Sequence, residues 1–278
     1  MEVVAREILA WEIEMSFEPA RPILEIHKGT KTFGGFNAVN NLDLKVQRET
    51  IHAIIGPNGS GKTTLINLVS GLLQPTSGGF FFKGKNLNGL RADRRTAMGI
   101  SRTFQNIRIF GQMSVLENVM VARHCRTKSG LRSLLFKLPF TSLKEEVEIR
   151  ERAEEILKFV GIAHRKDLKA SGLPYGEQRL LELGQALATA PELLLLDEPV
   201  AGMNPKEKDD VKHLIQKISK MGMTVLFIEH DMKVVMGISE RITVMNFGEK
   251  IAEGEPEEIQ KNPGVIEAYL GKEHQSPC

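Results

Sequence analysis

Gly56-Pro57-Asn58-Gly59-Ser60-Gly61-Lys62-Thr63 fits the pattern G-x-x-x-x-G-K-[ST]. Glycines at this spacing let successive main-chain N–H groups turn toward one centre, and such a concavity binds an anion. The helix that follows, expected from Thr64, would add the positive end of its dipole. The Lys62 ammonium can reach the β and γ phosphates of a nucleotide, and the Thr63 hydroxyl is a hard oxygen suited to Mg²⁺. Much further along, Leu193-Leu194-Leu195-Leu196-Asp197-Glu198 reads as a buried strand closed by two carboxylates. Ligands of open parallel sheets sit beyond the carboxyl ends of the strands. Asp197 then stands where a Mg²⁺ partner is needed, and Glu198 where an attacking water can lose its proton. Either motif alone has a plain reading, as a glycine-rich turn or as a solvated strand end. Together they call for a nucleoside triphosphate. Asn-Lys-x-Asp, the tetrapeptide that reads guanine, is absent, so ATP is expected.

These residues need strands before them and helices after them. Residues 51–55, IHAII, form a short apolar run ending in glycine, as a buried strand does. A helix is expected over 64–73, stopped by Pro75. NLDLKV alternates, with Leu42, Leu44 and Val46 on one face. SGGFFFKGKNL reads as a turn flanked by strand. The stretch 102–184 carries long charged helical patterns and little strand signal. Asn204, Pro205 and Glu207 predict a capped helix start, with Val211, Leu214, Ile215 and Ile218 as its core face and Gly222 at its end. TVLFIE is another buried strand, and RITVMNFGEKIAEG a closing hairpin.

Of the 278 residues, 41% are hydrophobic and 26% charged, which suits one large or two smaller compact units. A net charge of +2 gives no field that would draw the chain to nucleic acid. Cys125 and Cys278 are too few and too far apart for a disulfide scaffold, which favours a reducing compartment. No apolar run approaches the roughly 20 residues of a membrane span, and no signal-peptide pattern opens the sequence. Residues 1–22 read as a tail, with a short amphipathic pattern through Val4, Ile8 and Trp11.

The order of these motifs resembles the ATP-binding-cassette (ABC) ATPases from about Leu24 onward. The resemblance implies an α/β fold: a P-loop NTPase (RecA-like) core, an antiparallel β subdomain and an inserted helical subdomain. It implies one ABC domain over 23–278, with core segments 23–100 and 187–255, a helical subdomain at 101–186 and a C-terminal helical segment at 256–278. It further implies that Phe33, with Phe36 as a rival, stacks on adenine. Gln105 would sense Mg²⁺ and water, and His230 would contact the γ-phosphate. The segment Leu173 to Glu177 stands at the family's signature, Leu-Ser-Gly-Gly-Gln, which grips the γ-phosphate held by the partner in a head-to-tail dimer. Here Pro174 replaces the serine, Tyr175 the first glycine and Glu177 the glutamine. The serine contact cannot form. The Gly176 amide is left to carry it, with Tyr175 packing over the site. Asn204 likewise replaces an aspartate of the dimer-crossing loop.

LDEPVAGMNPKE, IEHDM with VVMGISERITVMNFG, and NPGVIEAYLG resemble the ATP-binding subunits of bacterial branched-chain amino acid importers. That branch implies ATP and Mg²⁺ as ligands and hydrolysis coupled to amino-acid uptake. It implies membrane permease subunits, a second ATPase subunit (a sister chain or a second copy) and, indirectly, a periplasmic binding protein as partners. The expected place is cytoplasmic, peripheral on the inner face of the plasma membrane. The basic stretch 123–137 would touch the permeases or lipid, or be a solvated face. The alternatives are a soluble cassette ATPase outside transport and a catalytically weak regulatory subunit.

Overall fold

The computed structural model describes residues 21–123 and 139–270. The amphipathic pattern through Val4, Ile8 and Trp11 and most of the basic stretch 123–137 lie outside the described residues.

The chain opens with β1 (Leu24–Phe33), β2 (Phe36–Val46) and β3 (Ile51–Ile55), followed by α1 (Lys62–Ser70), β4 (Ser77–Phe82) and β5 (Lys85–Asn86). Next come α2 (Ala92–Met98) and β6 (Ile100–Arg102), then three helices: α3 (Val115–Arg123), α4 (Pro139–Phe159) and α5 (Tyr175–Ala188). The chain returns to strand at β7 (Leu193–Asp197) and continues through α6 (Pro205–Lys220), β8 (Thr224–Ile228), α7 (Met232–Ile238), β9 (Arg241–Asn246) and β10 (Glu249–Gly254). It closes with α8 (Pro256–Lys261) and α9 (Pro263–Leu270).

Two sheets result. An antiparallel one runs β2-β1-β4-β5, and a six-stranded one β10-β9-β3-β8-β7-β6. In the larger sheet β3 is parallel to β8 and β9, and β7 to β6 and β8, while β10 turns back antiparallel on β9. Strands buried on both faces need no alternation, which explains the unbroken leucines of β7. Leu193 and Leu195 join Leu226, Ile228 and Ile54 in a core shared with α1 and the antiparallel sheet, through Leu65, Val39, Leu44 and Phe80. Leu194 and Leu196 face the other way with Val225 and Phe227, against Val119, Leu157, Leu181, Ile215 and Val235 of the surrounding helices.

Parallel strands discharge their chemistry at one edge. Asp197 pairs with Ile228, and Ile228 with Ile54. The Gly56 loop, the Asp197–Glu198 pair and the Glu229–His230 pair therefore leave the sheet side by side.

Some sequence expectations move. The first helix spans Lys62–Ser70 rather than 64–73, and Gly71 in the left-handed region at φ 84 ends it, ahead of Pro75. Its last carbonyls are taken by a guanidinium: Arg95, 1% exposed, donates to the oxygens of Leu68 and Val69 and to those of Leu87 and Leu90. Burial lowers its pKa to about 10. The boundary at 100/101 falls inside β6, and pairing runs on to the bond from Thr103 N–H to Leu195 O. The boundary at 186/187 falls inside α5. The predicted cap of α6 forms as a full capping box, Asn204 accepting from the Glu207 amide and Glu207 from the Asn204 amide.

Candidate functional site

The loop between β3 and α1 is wedged between two strands. A Cβ on Gly56 would lie 2.0 Å from the Met245 oxygen, and one on Gly61 2.1 Å from the Ala38 oxygen. Both glycines have positive φ, as does Gly59. No other residue type could hold this path. Gly61 caps α1 with no side-chain hydrogen bond, so the first-turn amides of Lys62, Thr63 and Thr64 keep their donors for an anion. Lys62, 6% exposed, folds its ammonium back onto the loop and donates to the oxygens of Gly56 (2.7 Å), Pro57 (2.8 Å) and Ser60 (3.3 Å). Burial lowers its pKa, while Glu198 and Asp197 pull it back up. The loop thus has a cation held in place by carbonyls, which an incoming phosphate can outbid with a full negative charge.

At the end of β7, Asp197 is 1% exposed. Its Oδ2 accepts from Arg102 at 3.2 Å, and its Oδ1 is buried with no partner. Burial raises the Asp197 pKa, and Arg102 opposes the rise. Arg102 is itself fixed by Asn67 (2.7 Å) and Ser70 (3.0 Å) of α1. Glu198 follows with φ 52, a strained conformation for a non-glycine residue. Its Oε1 lies 2.6 Å from His230 Nε2, and its Oε2 accepts from Gln105 Nε2 at 3.2 Å. The fold therefore brings Lys62, Asp197, Glu198, Gln105 and His230 together from four separate stretches of sequence.

The donor set suits Mg²⁺. An orphaned carboxylate oxygen on Asp197, the Thr63 hydroxyl and the Gln105 amide oxygen are all hard ligands. Among the described residues no three His, Cys, Asp or Glu side chains form a metal cluster. Mg²⁺ bound beside phosphate oxygens needs only one or two protein ligands.

Phe33 and Phe36 pair across the tip of the β1–β2 hairpin, and both are exposed, at 46% and 60%. Lys31 Nζ lies 5.0 Å over the Phe33 ring, a cation–π contact that leaves Phe36 the freer face.

The segment Leu173 to Glu177 starts α5, with Pro174 at the N-cap and Tyr175, one residue before Gly176, as the first helical residue. Proline at the cap removes none of the first-turn amides. Gly176 packs against Glu207, whose Oε1 would lie 2.8 Å from a Cβ there. Glu177 is held by Arg165 at 3.1 Å. The Tyr175 ring covers the Gly202 turn, and its hydroxyl accepts from Arg179 Nε (3.2 Å) and Nη2 (3.0 Å). Arg179, 6% exposed, also donates to the main-chain oxygens of Phe104 and Gln105, while Glu182 accepts from the amides of Phe104 and Arg108. One face of α5 thus clamps the loop that carries Gln105.

Arg102, Arg179, Glu182 and Glu229 were not legible as site residues. Most of their partners are main-chain groups or side chains remote in sequence, and where they are near, as Tyr175 and Glu182 are to Arg179, a buried charge still leaves no periodic mark.

A family model described as ABC transporter matches residues 39–201, and one described as branched-chain amino acid ATP-binding cassette transporter matches residues 249–275. The chain is 44% identical over 254 residues to the high-affinity branched-chain amino acid transport ATP-binding protein LivG of Escherichia coli K12, covering 91% of this chain and 99% of that protein. It is 45% identical over the same length to BraF of Pseudomonas aeruginosa, with the same coverage. Among solved structures, a nucleotide-free cassette from an ABC transporter superposes with TM-score 0.79 at 34% identity, covering 90% of this chain and 100% of that one. The ADP conformation of MJ1267, an ATP-binding cassette of an ABC transporter, gives 0.78 at 35%, over 90% and 99%.

Proposed function

This chain belongs to the ABC transporter family, and from that premise we propose that it is the ATP-hydrolysing subunit of an importer for branched-chain amino acids. The observation that carries the chemistry is the meeting of Lys62, Asp197, Glu198, Gln105 and His230 at one sheet edge. The relatives' names carry the transport assignment.

In this reading the amides of the Gly56–Thr63 loop receive the triphosphate of ATP. Lys62 exchanges its loop carbonyls for the β and γ phosphates. Thr63, Asp197 and Gln105 would hold Mg²⁺, which supplies charge neutralisation on the phosphates when bound. Glu198 Oε accepts the proton of the attacking water, and His230 leaves Glu198 to meet the γ-phosphate. General-base catalysis of this kind is worth about 10²–10⁴-fold in rate.

The site lies on an open edge, and the first turn of α5 is a second set of free amides on the same chain. Two chains set head to tail would let the α5 amides of one, at Tyr175, Gly176 and Glu177, close on the phosphates held by the other. The pairing ends when hydrolysis removes the γ-phosphate contacts that favour it.

No helix among the described residues is long and apolar enough to cross a membrane. The relatives' names as transport ATP-binding proteins support separate permease subunits as the path for solute, and in this reading the chain sits peripherally on the cytoplasmic face while a periplasmic binding protein delivers solute.

Proteoliposomes holding this chain with its permeases and binding protein test the reading. Leucine, isoleucine or valine should accumulate only with ATP, and Lys62→Ala should abolish uptake. ATP hydrolysis with no uptake of any of the three would overturn the substrate assignment.

A further inference from the structure

Glu229 directly follows β8, one residue before His230, and is 3% exposed. Its Oε1 accepts from the Val200 amide at 3.0 Å, and its Oε2 from the amides of His230 at 3.0 Å and Asp231 at 3.4 Å. Val200 lies in the turn that follows Glu198, closed by the Ala201 amide on the Glu198 oxygen at 3.2 Å. One carboxylate thus fastens the segment carrying Glu198 to the segment carrying His230. The side chains of those two residues meet at 2.6 Å. Glu198 has φ 52, and a strained residue of this kind persists only where its surroundings over-determine it.

From this geometry we propose that Glu229 is a positioning residue for ATP hydrolysis, setting the Glu198–His230 contact by holding both main-chain segments from behind. The proposal rests on the reading that Glu198 and His230 serve hydrolysis. A carboxylate suits the task because both its oxygens accept, and bonds to a charged acceptor are the strong ones. Glutamine has one accepting end. In Glu229→Gln the NH₂ must face either the Val200 amide or the His230 and Asp231 amides, and one of the two segments comes loose.

The test measures ATP turnover against ATP concentration in the assembled transporter, for the wild type, Glu229→Gln and Glu229→Asp. Histidine ¹⁵N NMR of the nucleotide-free full chain is recorded alongside. Glu229→Gln should lower kcat at least tenfold with KM for ATP within about twofold. Its His230 ring signals should move toward those of Glu198→Gln, in which the contact is altered directly. Glu229→Asp keeps both accepting oxygens and should recover part of kcat, so it carries the test if the glutamine variant fails to fold. Wild-type kcat in Glu229→Gln, or a fall in kcat with unmoved His230 signals, overturns the proposal. If the wild-type transporter itself hydrolyses no ATP, the functional reading fails instead, and the NMR arm still decides whether Glu229 sets the contact.

Discussion

At the scale of single residues, the site is held by charges that already have partners. Lys62 sits on three loop oxygens, Asp197 on Arg102, and both oxygens of Glu198 on Gln105 and His230. In the reading proposed above, nucleotide displaces some of these before chemistry begins, and until then the contacts hold the groups near their working places without committing them. Tyr175 shows how a departure from the signature pattern is absorbed. In place of a glycine it supplies a hydroxyl that takes two donors of the buried Arg179. Tyr175→Phe removes the partner of Nε, while Nη2 keeps the Gln105 oxygen, and an unsatisfied buried donor costs about 1–3 kcal/mol. Urea unfolding of the isolated chain should register a loss in that range. An unchanged unfolding midpoint would mean that water or another group replaces the hydroxyl.

At the scale of elements, β3 carries a titration that the site does not use. His52 is fully buried, with Nε2 2.8 Å from Thr243 Oγ1 and Nδ1 unpartnered. Burial lowers its pKa to about 4; Arg241 and Lys250 push the same way, and Glu253 opposes them. The unfolded chain takes up this proton near the ordinary value of 6.5, and the folded chain only near 4. Stability from neutral His52 is therefore complete above about pH 6.5 and drains away as pH falls toward 4, by about 3 kcal/mol in all. Between pH 7 and pH 4.5 the wild type should lose more unfolding free energy than His52→Gln. Parallel pH curves would contradict this account of β3.

Elements whose cause is local were legible in the sequence. The capping box of Asn204 and Glu207, the buried strands and the β9–β10 hairpin are set by neighbours in the chain. The end of α1 was misread because proline is the louder signal, while the positive φ of Gly71 and the cap from Arg95 belong to folded geometry. The edge strand β6 was lost inside a helical stretch because three residues carry no period.

At the scale of the molecule, two sheets and a helical insert converge on one loop. The phosphate loop touches β2 at Ala38 and β9 at Met245, and the Gly248 amide donates to the Ser60 oxygen at 3.1 Å. The insert reaches the same site through Arg179, which grips the Gln105 loop. The loop is thereby connected to the antiparallel sheet and to the C-terminal hairpin, and through the Gln105 segment the site reaches α5. The motifs at Gly56 and Asp197 were legible because each is a short sequence with its own chemistry. That they face one another follows from the register Ile54–Ile228–Asp197, which no local pattern states.

Equilibrium binding and turnover of ATP with Mg²⁺, measured on the purified chain and on its Lys62→Ala and Glu198→Gln forms, test that convergence most directly. The wild type should bind and hydrolyse ATP. Lys62→Ala should lose binding, and Glu198→Gln should bind as tightly as the wild type while turning over at least about a hundredfold more slowly. Undiminished hydrolysis by Glu198→Gln, or undiminished binding by Lys62→Ala, would contradict the account.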